Sequence, residues 1–223
     1  MKPLERYDIV LILLSQAVRL MNTLPITPTD ITQDPMLVSV GVALSTGESV
    51  VLRPLAPNDA NVLGVYFLSL SNETKRRYGP HPFDQATADR LCAENDYAHT
   101  IRMLATTSDG DERVIAYFIL VLGVGENDAS RYAKLGMMLN TATDCTLAPS
   151  VADDYQDKGL GSVMMRHVLV TARKLSKQRM VLMGGVQATN ARAKHFYEKH
   201  GFKWMGDFEE PAGRNNHDMI LDL

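Results

Sequence analysis

The sequence predicts a mixed α/β fold, with a central, largely antiparallel sheet of about seven strands flanked by helices and preceded by an N-terminal helical extension. Two observations predict it. From Leu37 onward, short segments alternate apolar with polar residues and are separated by turns rich in Gly, Asp and Asn. Stretches with helical spacing interrupt those segments, so some strands are joined by crossovers and others by hairpins, as in a mixed sheet.

The elements follow in order. Pro3 suits a first helical turn, and Leu4, Ile9, Leu13, Ala17 and Leu20 recur at helical spacing, which predicts an amphipathic helix ending near Asn22. TLPITPTDITQDP holds three prolines and little periodicity, so it reads as a linker. Residues 1–36 are thus expected to form an extension that packs on the main domain or on another subunit, and residues 37–223 the domain itself. LVSVGVAL and SVVLRPL form a hairpin about a Ser-Thr-Gly-Glu turn. A helix follows with Asn58 or Asp59 as its N-cap and with Val62, Val65, Tyr66, Leu68 and Leu70 on one side. A second helix spans about Asp84 to Glu94, beyond the loop GPHPF. Three strands come next, Tyr97 to Thr106, Val114 to Leu122 and Thr143 to Val151. A helix from about Gly159 to Ser176 carries Leu160, Val163, Met164, Val168, Ala172 and Leu175 on its apolar face. RMVLMGGV is a buried strand, TNARAKHFYEKHGF a short helix closed by Gly201, and KWMGDF with HDMILDL a terminal strand pair.

Composition bounds the function. The chain has 223 residues, 45% hydrophobic and 22% charged, which fits one soluble domain with an appendage. A net charge of -3 shows no basic excess, which argues against nucleic acid as the main partner, so an acidic ligand must be held by local groups. Cys92 and Cys145 lie far apart without metal-site spacing and read as reduced thiols of a cytosol-like compartment, which predicts a cytoplasmic protein. The apolar run Ile9 to Leu14 is too short to span a membrane and lacks the features of a secretory signal.

The chemistry concentrates in DDYQDKGLGSVMMRH. A dinucleotide fingerprint fails because Met164 stands three residues beyond Gly161, and no P-loop order of Gly-Lys-Ser/Thr exists. What remains is Gln156-x-x-Gly159-x-Gly161 between a strand and a helix. Such a turn either is a plain helix entry or bares backbone N-H groups, with a helix dipole behind them, to a pyrophosphate. Glycines there let phosphate oxygens approach the backbone.

Strand, Q-x-x-G-x-G, helix, strand, then N-x-x-A-x-x-x-Y-E-K-x-G-F from Asn190 to Phe202 resembles the GNAT superfamily of acyl-CoA-dependent N-acyltransferases. LRPLAPNDANVLGVYFLSLSNETKRRYG is similar to the first strand and helices of bacterial members, including the catalytic domains of protein-lysine acetyltransferases. The resemblance covers about Leu37 to Leu223. It implies the GNAT fold and direct transfer of acetyl from acetyl-CoA, as co-substrate, to an amine in a ternary complex.

Residue by residue, the resemblance implies that Pro149, Ser150 and Val151 pair with the pantetheine arm. Proline has no N-H, so a carbonyl-polarising donor must come from Ser150 or Val151. The pyrophosphate cradle maps to Gln156, Asp157, Lys158, Gly159, Leu160, Gly161 and Ser162. Asp157 departs from the family, where glycine is common, and its carboxylate is tolerable only if it points to solvent. Asn190 becomes a polar contact to the cofactor arm or the adjacent strand. Tyr197 becomes the general acid that protonates the departing thiolate. Many members place a glutamate base on the strand before the loop. Here Thr146 stands at that position, and Asp144, two residues earlier on the same face, is either a base acting through water or an edge-of-strand acid.

Alternation points Cys145 into the core, and the spacing of His195 and His200 supports no metal site. His81 reads as a turn histidine or a substrate contact. Lys75, Arg76 and Arg77 read as a solvated helix end, or as a contact to an acidic substrate or to the adenosine phosphate. The N-terminal helix offers a contact for a homodimer. Two other functions compete, an acyl-CoA-binding sensor without turnover, motivated by Pro149 and the missing glutamate, and a nucleotide-phosphate binder unrelated to CoA.

Overall fold

The computed structural model describes residues 24–108 and 110–223. The N-terminal helix expected over residues 3–22 lies outside them. Within the expected linker, α1 (Pro28–Gln33) is a helix rather than irregular chain. Thr27 caps it and Asp30 reaches back to the Thr27 N-H, a reciprocal capping box that outweighs the three prolines, one of which sits in the first turn where its missing N-H costs nothing. Ile31 is fully buried, Ile26 N-H donates to the Lys174 carbonyl and Lys174 Nζ to the Leu37 carbonyl. Residues 26–38 therefore strap the back of the long helix α6, described below.

The sheet is mixed and largely antiparallel, as expected, and holds nine strands among the described residues where about seven are expected. β1 (Val40–Ala43), β2 (Ser49–Pro54), β3 (Thr100–Thr107), β4 (Val114–Val121) and β5 (Asp144–Val151) run antiparallel in sequence order. β6 (Arg179–Leu182) joins β5 in parallel, and β9 (Asn215–Asp222) pairs with β6, β7 (Val186–Gln187) and β8 (Lys203–Glu209). The run expected as one strand, RMVLMGGV, divides because Gly184 and Gly185 adopt positive φ and turn the chain between β6 and β7. In β4, VIAYFILV is buried at every position but the last, as a strand covered on both faces requires.

One face of the sheet carries α2 (Ala60–Ser69), α3 (Asn72–Arg77) and α4 (Gln85–Ala93). α2 is rotated from the expected face. Leu63, Tyr66 and Phe67 are buried, whereas Val65 and Leu68 are exposed. Asp59 precedes α2 but does not cap it, since its carboxylate takes the Ala56 N-H and a bidentate pair with Arg53. α6 (Leu160–Lys174) buries Leu160, Met164, Met165, Val168 and Ala172, and α7 (Ala191–Lys199) ends before Gly201 at φ +90°.

A helix absent from the sequence reading, α5 (Glu126–Lys134), lies between β4 and β5. It is polar overall, with acids in the first turn, Arg131 and Lys134 in the last, and Gly136 at positive φ just beyond.

Candidate active site

The site begins where two parallel strands part. β5 and β6 pair only from Asp144/Arg179 to Leu147/Leu182, and the rest of β5 is paired on its β4 side alone. Met183 N-H donates to the Leu147 carbonyl, and Ala152 N-H to the Ile115 carbonyl. Since a strand residue directs its N-H and C=O to the same side, Leu147, Pro149 and Val151 face the opening while Ala148, Ser150 and Ala152 face β4. The Ser150 backbone is thus spent in the sheet. Its hydroxyl is also engaged, 2.6 Å from the Tyr66 hydroxyl. Of the two candidates to replace the proline's absent donor, Val151 alone turns its N-H to the opening; its carbonyl accepts from Gln156 Nε2 at 3.0 Å.

The chain leaves β5 through a short 3-10 turn, Asp153–Tyr155, and enters α6 through two departures from ordinary backbone. Asp157 has φ +60° and Gly159 φ +85°. Left-handed backbone at position 157 is the physical reason a glycine suits it, and Asp is among the few side chains that tolerate it. No side chain caps α6, and the space about a Cβ at Gly159 is open. A helix of 15 residues thereby presents a bare, positively polarised end to the cleft. Ser162 N-H is already turned back to the Gly159 carbonyl, which leaves the amides before it for a ligand. Leu160 contributes its backbone only, because its side chain is fully buried, and Lys158 lies over the Tyr155 ring at 5.4 Å. At Gly161 an added Cβ would meet Phe196 of α7 at 3.4 Å, so this glycine sets the approach of two helices.

Arg192, in the first turn of α7, was missed by the sequence reading. It donates to Gln156 Oε1 at 2.5 Å and lies 3.5 Å from Asp157 Oδ2. One guanidinium thus spans the cradle and offsets the carboxylate that looked out of place there. Nothing local marks Arg192, because both of its partners belong to a different segment of the chain. Asn190 caps α7, its side chain accepting from Ala193 N-H at 3.1 Å. Tyr197 is 8% exposed, with its ring against Phe196 and Phe202, and burial raises its pKa well above the ordinary tyrosine range. It therefore stays protonated, the form a proton donor needs.

Asp144 is not brought to this cleft. It is fully buried and held by Arg179 through Nε at 2.9 Å and Nη2 at 2.7 Å, with Asn140 N-H as a third donor. Thr146 does line the cleft, but its hydroxyl donates to the Gly123 carbonyl. The wall opposite is α5. There Asp128 accepts from Arg131 and from Gly184 N-H at 3.1 Å, and Arg131 also grips Asp218 and stacks 3.9 Å from the Phe208 centroid.

The whole cleft measures about 1710 Å³. It is lined by β5, the turn, α7 and α5 together, and by Arg76 and Arg77, which also pair with Glu73. His81 lies apart from it, 3.2 Å from the Tyr117 hydroxyl through Nε2 and 2.8 Å from the Pro82 carbonyl through Nδ1. Burial pushes the Cys145 thiol up to about 12, so it is an inert core group. Among the described residues no group of His, Cys, Asp and Glu could hold a metal, and no helix is long and apolar enough to cross a membrane.

Residues 140–202 match the model of the acetyltransferase (GNAT) family. The fold is similar to the GNAT domain of S. lividans PAT, at 21% identity and TM-score 0.67 over 85% of this chain and 99% of that one. It is also similar to an acetyltransferase of the GNAT family from Streptococcus pneumoniae, at 19% identity and TM-score 0.58 over 78% and 99% of the two chains. An acetyltransferase from Thermus thermophilus gives 20% identity and TM-score 0.55 over 78% and 97%. No curated protein matches.

Proposed function

We propose that this chain, which carries a GNAT acetyltransferase segment on a GNAT fold, transfers acetyl directly from acetyl-CoA to an amine in a ternary complex. The observation that carries the reading is the uncapped end of α6 at the mouth of the β5/β6 opening, with Tyr197 in the same cleft. The pyrophosphate rests on the amides from Asp157 to Gly161, beside Arg192. The pantetheine arm runs along the free edge of β5, where Val151 N-H is its donor. When bound, acetyl-CoA supplies an activated thioester.

The amine nitrogen forms a bond to the thioester carbonyl carbon as the C-S bond breaks. The sulfur takes the Tyr197 hydroxyl proton, the amine gives its own proton to water, and water returns a proton to the tyrosinate. Asp144 has no part, because its carboxylate is committed to Arg179 and its removal would strand a partly buried guanidinium.

Tyr197→Phe is expected to lower kcat by about 10²-fold while leaving the acetyl-CoA dissociation constant within about twofold, read by thiol release and by calorimetric titration. Full turnover in that variant would remove Tyr197 from the mechanism, and absence of saturable acetyl-CoA binding to the wild type would remove the proposed activity.

A further inference from the structure

Beside the main cleft, on the face of the sheet that carries α2 to α4, lies a second cavity of about 200 Å³. Thr100 and Arg102 of β3 and Ile119 and Val121 of β4 make its floor, and His81, Arg90 and Leu91 its wall. Pro80, Val121 and Met183 line both spaces, so the two adjoin there. Two guanidinium groups, and no carboxylate, line the small cavity.

The donors there are under-used. Arg102 makes no ion pair among the described residues, and its Nε is buried without a hydrogen-bond partner. Arg77 Nη1 and the Tyr78 hydroxyl are buried and unpartnered too, in the strip from Arg77 to Pro80 that rims the main cleft. A buried donor left unpaired is destabilising, and Arg102, whose Nε is one, lines the cavity floor and asks for an acceptor. His81 is not that acceptor, since both its ring nitrogens are engaged, and Arg90 has only an exposed 3.3 Å contact with Glu94.

We infer that this cavity binds a carboxylate of the acceptor, so that the preferred substrate is a free amino acid or another amine that also bears a carboxylate. The inference rests on the acetyltransferase reading of the cleft and names the class of its second substrate. The Arg102 and Arg90 guanidinium groups hold the carboxylate, a planar acceptor suited to a guanidinium edge. The acceptor's apolar part crosses Val121 and Met183, and its amine enters the main cleft toward β5. A lysine side chain within a protein brings no carboxylate of its own to this position.

The test compares the common free L-amino acids with their α-carboxamides as acceptors, together with short lysyl peptides. At least one amino acid should exceed its carboxamide by about 10²-fold in kcat/KM, and Arg102→Gln should shrink that ratio to less than about tenfold while acetyl-CoA binding is retained. Arg102→Lys should restore part of it. Equal use of acids and carboxamides, or preference for lysyl peptides, overturns the inference. So does a ratio that survives in a folded Arg102→Gln protein. Binding of the same pairs, read by thermal shift without acetyl-CoA, separates the two proposals. Stabilisation by the acids alone supports the anion site even if no acetyl is transferred, and transfer without carboxylate preference sinks the site and leaves the acetyltransferase standing.

Discussion

α6 and α7 both begin at the cleft, and they begin differently. α7 starts in the usual way, with the Asn190 side chain accepting from Ala193 N-H. α6 starts on Gly159 in left-handed backbone with no side-chain cap. The same orphan amides are satisfied within the chain at one end and left for a ligand at the other. On the proposed reading the two helix starts on one cleft do separate jobs, one holding the fold and one receiving the pyrophosphate, and Arg192 in the first turn of α7 reaches across to Asp157 beside the second.

The comparison breaks most sharply if the bare end is made acidic. Gly159→Asp has room at the Cβ and strains a left-handed φ that Asp tolerates better than most residues, so the fold should persist at some cost in Tm while acetyl-CoA affinity falls more than about tenfold in calorimetric titration. Unchanged affinity would mean that the pyrophosphate sits elsewhere. Asp157→Gly should act in the opposite direction. It relieves left-handed strain and frees Arg192 from its partner, and removal of one exposed charge of about 1 kcal/mol predicts a gain of about fivefold in affinity, lost again when Arg192 is also Ala.

At the capped end the effect should fall on stability alone. Asn190→Ala is expected to cost about 1 kcal/mol, or about 2–4 °C in Tm, with acetyl-CoA affinity changed less than about twofold. A loss of affinity at unchanged Tm would make Asn190 the cofactor contact that its family position implies. The smallest effect concerns the strap. Burial lowers the pKa of His167, whose Nε2 lies 2.8 Å from the Val38 carbonyl. The unfolded chain binds a proton near the ordinary value of about 6.5 and the folded chain only below it, so stability should be full above that pH and fall as the pH drops through it. His167→Gln should flatten that fall in melting curves taken from about pH 7 to about pH 5.

Much of the fold was legible because its signals are local. The apolar run of β4, the cap-and-glycine boundaries of α7 and the turn before α6 each follow from a few adjacent residues. What escaped depends on distance in sequence. α5 buries little beyond Tyr132 and Asp128, so ENDASRYAK is too polar overall to read as a core-facing helix. Val65 and Leu68 suggested a buried face for α2 that Leu63 and Phe67 occupy instead, because the turn Pro57–Asp59 sets the rotation at which the helix meets the sheet. Asp144, open in sequence between a base and an edge-of-strand acid, stands beside Arg179 only through the parallel register. The Gln156–Arg192–Asp157 bridge is of the same kind, a site feature made by two segments that touch only once the sheet has formed.

The parting of β5 from β6 also divides the sheet mechanically. Beyond Leu147 and Leu182 the two halves lose their seam, and a short run of four paired residues joins β5 to β6 on the far side. A pantetheine arm lying in that gap would splice the halves together, so filling the cleft would stiffen the whole molecule and the occupancy of one small crevice would be written into its melting temperature.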